Sequence, residues 1–164
     1  MEITFPVSVL YMAGSETPTT DMDHLTKEKR SWNMSRIGSK NTKPEMIIRS
    51  ALHKKGYRFR LNGIVSRKIY WKGVLPGKPD IVLLKYKTAI FIHGCFWHGH
   101  KNCKRSGIPK TNVDYWLKKL DKNKERDKKA VKELKKTGLK VIVIWECNIK
   151  KEFDVDSLIK KIVS

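Results

Sequence analysis

His93-Gly94-Cys95-Phe96-Trp97-His98-Gly99-His100-Lys101-Asn102-Cys103 gathers three of the chain's five histidines and two of its three cysteines into eleven residues. It follows directly on the apolar run Thr88 to His93, which predicts a buried strand. The third thiol, Cys147, ends a second apolar run, Leu139 to Trp145, in Trp145-Glu146-Cys147. Strands that neighbour one another end side by side, which would bring Cys147 to the cluster and make Cys95, His100, Cys103 and Cys147 a Cys3His tetrahedral set. Zinc takes thiolate and imidazole ligands, and four protein ligands close the site and make it structural. The alternative is three buried core thiols beside a loop of histidines, which needs all three cysteines to fall there by accident of spacing.

Outward from this stretch, the pattern is that of an α/β protein with a mixed sheet. Ser39 to Glu45 reads as a helix start with Pro44 just inside, and Met46, Ile47, Ala51 and Leu52 recur at helical spacing until Gly56. Tyr57 to Leu61 alternates as a half-buried strand. Asn62 to Pro79 is loop-like, with three Gly and two Pro. Asp80 to Lys85 and Thr88 to His93 predict adjacent strands joined at Tyr86-Lys87. Asp114 to Lys136, ended by Gly138, predicts a long helix, Leu139 to Trp145 a buried strand, and Phe153 to Val163 a short closing helix.

Two further constellations carry chemistry. Asp80 stands at the head of one strand beside the end of its partner at His93, with Glu45 on the first helix. A carboxylate in that position is how many nucleases hold Mg2+, a hard ion that wants oxygen ligands. The even alternative for Asp80 is the end of the Pro76-Gly77-Lys78-Pro79 turn, and Glu45 has a structural explanation in the capping box Thr42-x-x-Glu45. On the long helix, Trp116, Lys119, Asn123 and Asp127 share about 80° of arc. The buried stripe is better drawn through Val113, Leu117, Leu120, Val131 and Leu134, which predicts that the polar stripe faces solvent or a ligand. A Trp beside Lys and an amide suits DNA, where aromatic wedges enter base steps and amides meet base edges. Phe96-Trp97 repeats the theme.

The chain has 164 residues with 36 Lys or Arg against 16 Asp or Glu, a net charge of +20. Such a charge points to a polyanion partner, and 40 % hydrophobic residues are too many for a disordered basic tail. Residues 101–140 hold 15 of the basic residues and five acids. No run approaches the roughly 18 apolar residues that span a bilayer, and three cysteines argue against a secreted disulfide scaffold. Residues 1–21 carry no Lys or Arg and are expected to form a flexible N-terminal extension, leaving 22–164 as a single domain.

Taken together, the segments Arg30-Ser31-x-Asn33-Met34-Ser35-x-Ile37, Thr42-Lys43-Pro44-Glu45, Leu75-Pro76-Gly77-Lys78-Pro79-Asp80, His93-Gly94-Cys95-Phe96-Trp97-His98, Tyr115-Trp116-Leu117, Asn123-x-Glu125-Arg126-Asp127 and Trp145-Glu146-Cys147 resemble the very short patch repair (Vsr) DNA mismatch endonuclease family. The resemblance implies a restriction-endonuclease-like core, in which a histidine replaces the usual lysine of the metal-site strand. It implies Mg2+-dependent nicking of duplex DNA 5′ to the thymine of a T:G mismatch. It would make Asp80 the direct Mg2+ ligand with the backbone carbonyl of Ile92 beside it, Glu45, His93 and His98 groups around the metal-bound waters, and Asp127 the residue that orients a histidine. Phe96, Trp97 and Trp116 match aromatic wedges, with Met34 from the other groove, and Lys119 and Asn123 match positions that meet the mismatched bases. The zinc positions match Cys95, His100, Cys103 and Cys147. As partners the resemblance implies double-stranded DNA with a T:G mismatch, mismatch-repair proteins and a companion cytosine-5 methyltransferase. It further implies a monomer with no membrane partner, cytoplasmic and nucleoid-associated in a bacterium or archaeon. The segment Ile64 to Gly73 looks inserted, and is either a DNA contact or simply a loop. The rival functions are a restriction-like nuclease acting on matched sites or another lesion, and a non-catalytic zinc-stabilised nucleic-acid-binding protein.

Overall fold

In the computed structural model, residues 26–36, 38, 40–151 and 153–164 are described. The expected extension over residues 1–21 lies outside them, as do the side chains of Lys27, Arg30, Met34, Lys150 and Lys151. The chain divides into two units, residues 1–35 and 36–164. In the first, helix α1 spans Lys27–Ser35. The Thr26 hydroxyl accepts the Lys29 amide at 3.3 Å, as an N-cap does.

In the second unit the order is α2 (Lys43–Lys54), β1 (Arg60–Leu61), β2 (Ile81–Leu83), β3 (Thr88–His93), α3 (Val113–Lys136), β4 (Lys140–Trp145), α4 (Glu146–Lys151) and α5 (Val155–Val163). The strands form one mixed sheet in the order β1-β2-β3-β4, antiparallel from β1 to β3 and parallel between β3 and β4. A short 3-10 turn, Leu84–Tyr86, suffices between β2 and β3. The parallel pair needs a long crossover, which the Cys/His loop and α3 supply.

Side chains alternate across the sheet with the period of two that a pleated strand imposes. Ile81, Leu83 and Ile90 join Ile48 and Leu52 of α2, Ile149 of α4, and Leu158 and Ile162 of α5 in one core, against which Ile142 and Ile144 of β4 pack. Val82, Ala89 and Phe91 turn the other way, onto Leu134 of α3. Thus α2, α4 and α5 cover one face and α3 the other. His93 continues the parity of Ala89 and Phe91, which directs its ring to the α3 side.

Three sequence expectations change. The Tyr57–Leu61 strand shrinks to Arg60–Leu61, because Tyr57 and Phe59 pack on the core without pairing. α4 was not foreseen, since the apolar run it continues reads as strand. The buried stripe of α3 is also different: Val113 and Leu117 are 41 % and 42 % exposed. The inward line instead runs through Trp116, Leu120, Asn123, Asp127, Ala130 and Leu134, each buried or half-buried and spaced three or four residues apart. Asn123 and Asp127 can face inward because the loop after β3 offers them hydrogen-bond partners. No helix among the described residues is long and apolar enough to cross a membrane.

The turn that delivers Asp80 is wedged between α3 and β3. Gly77 sits at φ 69°, and a Cβ there would lie 2.6 Å from the Ala130 methyl and 3.2 Å from the Phe91 ring. Gly138, at φ 77°, has nothing within 4 Å. Gly138→Ala should therefore cost only the left-handed backbone penalty, about 1–2 kcal/mol. Gly77→Ala should add an overpacking cost of about 1–3 kcal/mol. Thermal melts of the two variants check this, since 1 kcal/mol corresponds to roughly 2–4 °C at this chain length; equal drops would remove the packing argument.

Candidate active site and metal centre

The parallel register of β3 and β4 ends at His93↔Trp145, so both strands deliver their following residues to the same end of the sheet. After β3 the chain curls at once, with His98 N bonded to Gly94 O at 3.2 Å and His100 N to Cys95 O at 2.9 Å. Gly99 makes the curl possible: its φ is 59°, and a Cβ would meet Lys124 Cε at 2.3 Å. The result sets ligand atoms of Cys95, His100, Cys103 and Cys147 within 4.8 Å of one another. His100 Nδ1 is 3.6 Å from Cys95 Sγ and 3.4 Å from Cys147 Sγ. A tetrahedral ion with sulfur at about 2.3 Å and nitrogen at about 2.0–2.1 Å separates the two by about 3.5 Å, so the donor set fits a zinc-like ion.

All three cysteines are free of disulfides, and only Cys95 is buried, which disposes of the core-thiol alternative for Cys103 and Cys147. Burial pushes the Cys95 thiol up to about 11, whereas a hydrogen bond from the Arg105 backbone holds Cys103 below its ordinary value. The His100 ring is clamped by Trp145, stacked at 4.0 Å and 7°. The Ser106 hydroxyl donates to the His100 and Cys103 carbonyls at 2.6 and 2.8 Å, closing the loop.

Beside this cluster stands a second group. His93 ends β3, 8 % exposed, and its ring stacks on His98 at 3.8 Å and 7°. His98 Nδ1 lies 2.5 Å from Asp127 Oδ2. Burial pushes the Asp127 carboxyl upward, but the hydrogen bond from His98 and the positive fields of His98, His93 and Arg126 outweigh it and hold the group below its ordinary value. An ionised carboxylate only accepts, so Nδ1 carries the proton of this bond, and in the neutral form of such an imidazole Nε2 is the acceptor. Burial first, then the fields of His98 and Arg126, lower His93 to about 4, so it is neutral at pH 7. His93, His98 and Asp127 lie close enough to share an ion. Parallel stacked rings, however, aim their in-plane lone pairs alongside one another and not at a common point, an arrangement better suited to moving protons.

Asp80 stands at the head of β2, half-buried. Its Oδ2 accepts the Ile92 amide at 2.7 Å, which leaves Oδ1 outside that bond. Burial raises its pKa and the negative charge of Glu45 raises it further, against the opposing Ile92 hydrogen bond and Arg49. Glu45 is buried, and accepts from the Thr42 hydroxyl at 2.9 Å and the Asn41 amide at 3.1 Å. Neither reciprocal bond of the expected capping box is made: the Thr42 hydroxyl donates to Glu45 and caps no helix amide, and Glu45 takes the backbone amide of Asn41 in place of that of Thr42.

The aromatic candidates meet. Phe96, Trp97 and Trp116 form a three-ring cluster with centroids 5.1, 5.2 and 5.9 Å apart, and all three are half-buried. Tyr115 packs edge-on against Trp116 at 5.2 Å. The Asn123 amide donates to the Trp97 carbonyl at 3.0 Å, fixing the loop that carries the ring. Lys119 is exposed on α3, and the Met34 side chain lies outside the described residues.

Sequence reasoning missed two residues. Arg49 is buried, with Nη2 2.6 Å from Glu45 Oε2 and Nη1 2.7 Å from Asn41 Oδ1. Its signal was present in the i,i+4 spacing of Glu45 and Arg49. Trp145 touches both His93, at 5.3 Å, and His100, and only the strand register reveals that.

Comparison with known proteins follows the same residues. A family model for DNA mismatch endonuclease Vsr matches residues 22–105. The chain is 52 % identical over 128 residues to the type II nicking enzyme V.NmeAIP of Neisseria meningitidis serogroup A, covering 78 % of this chain and 84 % of that enzyme. It is 42 % identical over 127 residues to the type II nicking enzyme V.XorIIP of Xanthomonas oryzae, 77 % of this chain and 86 % of the relative. Against the DNA mismatch endonuclease Vsr of Escherichia coli, identity is 37 % over 124 residues, 76 % of this chain and 73 % of the relative. An identity this high across most of both chains, with the loop after β3 and the head of β2 inside the matched span, places this endonuclease in the DNA mismatch endonuclease Vsr family.

Proposed function

We propose that this protein nicks one strand of duplex DNA 5′ to the thymine of a T:G mismatch, the product of 5-methylcytosine deamination, and so initiates very short patch repair. One observation carries the reading: an unbroken line of contacts from Asp80 to Ile92, and from the adjoining His93 through His98 to Asp127, ends beside the Phe96, Trp97 and Trp116 rings. Residues 22–164 act as one catalytic domain with a restriction-endonuclease-like core. A cytosine-5 methyltransferase would generate the base whose deamination makes the substrate, and mismatch-repair proteins are the partners expected downstream.

Asp80 Oδ1 and the Ile92 carbonyl would hold Mg2+. N–H and C=O of one strand residue project to the same edge, so the carbonyl of Ile92 shares an edge with the amide that Asp80 binds. A carboxyl whose pKa is raised by burial and by the neighbouring charge of Glu45 suits a hard dication. When bound, Mg2+ neutralises charge that develops on the scissile phosphate. His98 Nε2 takes a proton from the attacking water, and Asp127, ionised, stabilises the imidazolium that results. His93, kept neutral by burial, holds the His98 ring flat. Glu45, tied down by Thr42, Asn41 and Arg49, contributes negative charge near Asp80. Phe96, Trp97 and Trp116 wedge into the duplex where unstacking is least costly, while Lys119 and Asn123 meet the mispaired bases. Cys95, His100, Cys103 and Cys147 would hold Zn2+, which would pin the loop to the start of α4, just past β4.

Three outcomes test this. Duplexes that differ only in T:A against T:G, incubated with Mg2+, should be nicked only at T:G; cutting of both makes the enzyme a nuclease of matched sites, and binding without cutting removes the catalytic reading. Asp80→Asn should lose at least about a thousandfold in nicking, several kcal/mol of transition-state stabilisation, while still retarding duplex in a gel. Asp127→Asn should slow single-turnover nicking by about 10²–10⁴-fold, and an unchanged rate would exclude His98 as the base. For the metal centre, zinc should co-purify at one ion per chain, and Cys95→Ser should lose it together with several kcal/mol of stability, a Tm fall of about 10 °C or more.

A further inference from the structure

Between β1 and the turn that carries Gly77 lies the segment 64–74. It is an ordered hairpin: Ile64 bridges Val74, Val65 N bonds Gly73 O at 3.0 Å and Leu75 N bonds Gly63 O at 2.9 Å. Val65 and Leu75 are buried in the α3-side core, and Tyr70 packs against it. Inside the tip, Ile69 N and Tyr70 N both bond Ser66 O, at 2.8 and 3.1 Å, and Gly73 N bonds Tyr70 O at 2.8 Å. These anchors present Arg67, Lys68, Trp71 and Lys72 to solvent. Trp71 is 72 % exposed, and Lys72 Nζ lies 4.6 Å from its ring centroid.

Three features bear on what this tip meets. Between Asn62 and Pro79 the chain carries Arg67, Lys68, Lys72 and Lys78 and no acid. Among the described residues none of these four cations forms an ion pair. The antiparallel register Leu61↔Ile81 puts the hairpin at the end of the sheet where Asp80 stands. A large, uncovered indole set among unpaired cations is costly to display to water and is complementary to a sugar–phosphate backbone.

We infer that the hairpin 64–74 is a second DNA-contacting element, which grips the duplex flanking the nick site through phosphate contacts from Arg67, Lys68 and Lys72, with the Trp71 ring laid against the sugars. It rests on the proposed DNA-nicking reading and adds footprint and affinity, not mismatch choice.

The test compares two triple variants of equal charge loss. Arg67→Ala/Lys68→Ala/Lys72→Ala removes the hairpin cations. Lys85→Ala/Lys135→Ala/Lys136→Ala removes three from the opposite end of the sheet, where α3 ends and the β2–β3 turn lies. Binding to a fully matched 30-base-pair duplex is measured against salt concentration, and melts confirm that both variants fold. The hairpin variant should lower the slope of log Kd against log salt by about 2–3, one unit per phosphate contact, and Trp71→Ala should weaken binding with the slope kept. The control triple should leave the slope within about half a unit. Equal slope changes in the two triples, or none in either, overturn the proposal, as does an acidic protein surface that binds the hairpin while DNA affinity is unmoved. Because the duplex is matched and no cutting is read, failure of the T:G assignment leaves this measurement interpretable, and failure here leaves T:G nicking intact.

Discussion

The six-residue parallel pairing of β3 with β4, Thr88↔Lys140 to His93↔Trp145, is the constraint on which the rest depends. It alone brings Cys147 to Cys95 and His100, and it alone places Trp145 between His93 and His100. Strand side chains have a period of two, so a slip of one residue would turn Trp145 to the opposite face and leave both histidine rings without their wall. A parallel pair also cannot be closed by a hairpin. The Cys/His loop is therefore the first part of an obligatory crossover, and α3 is the second.

That role explains the composition of α3. Its inward face must cover the sheet near Leu134 and then, a few turns earlier, cover a loop whose backbone and histidine need partners. Apolar side chains serve the first task, Asn123 and Asp127 the second. A carboxylate that accepts from His98, and an amide that donates to the Trp97 carbonyl, are half-buried polar groups with their hydrogen bonds made, so their placement costs little. The lysines are consigned to the outer faces, where a net charge of +20 repels itself least and meets phosphate first. On the other side of the sheet, Glu45 and Arg49 form a buried pair that also binds Asn41 and Thr42. Removing either partner would leave an uncompensated buried charge, a loss of about 3–5 kcal/mol, although Arg49 Nε itself remains without a partner.

Much of this was legible in the residues because it depends on short-range order. The β2–β3 pairing, the bounds of α3 and the Cys3His set all follow from apolar runs, Gly stops and the spacing of sulfur and nitrogen donors. The α3 stripe was misjudged for a physical reason. Polarity predicts exposure only when no internal partner exists, and the partners of Asn123 and Asp127 are 26 and 29 residues away in the chain. Val113 and Leu117, apolar yet exposed, show the converse, since the helix begins before it reaches the sheet. Trp145 was missed because its significance lies in register, which no linear pattern states, whereas the i,i+4 spacing of Glu45 and Arg49 was open to reading and only the burial of the pair was not. The three-ring cluster was half visible: the residue types were evident, but their mutual contact was not.

That mutual contact bears on how a mismatch would be told from a matched pair. In the free protein Phe96, Trp97 and Trp116 satisfy one another edge to face, an arrangement worth about 0.5–1.5 kcal/mol for each pair. A wedge that enters DNA as separate rings must first give up those contacts, in addition to the few kcal/mol needed to unstack a base step. The first cost is the same on every sequence, and only the second depends on the base pair. At a mismatch the second is smaller than at a matched pair, so a fixed protein-side cost would set a threshold that weak steps pass and well-stacked steps do not. The discrimination would then reside in the difference between base steps, while the lysine surface, indifferent to sequence, raises the occupancy of both alike.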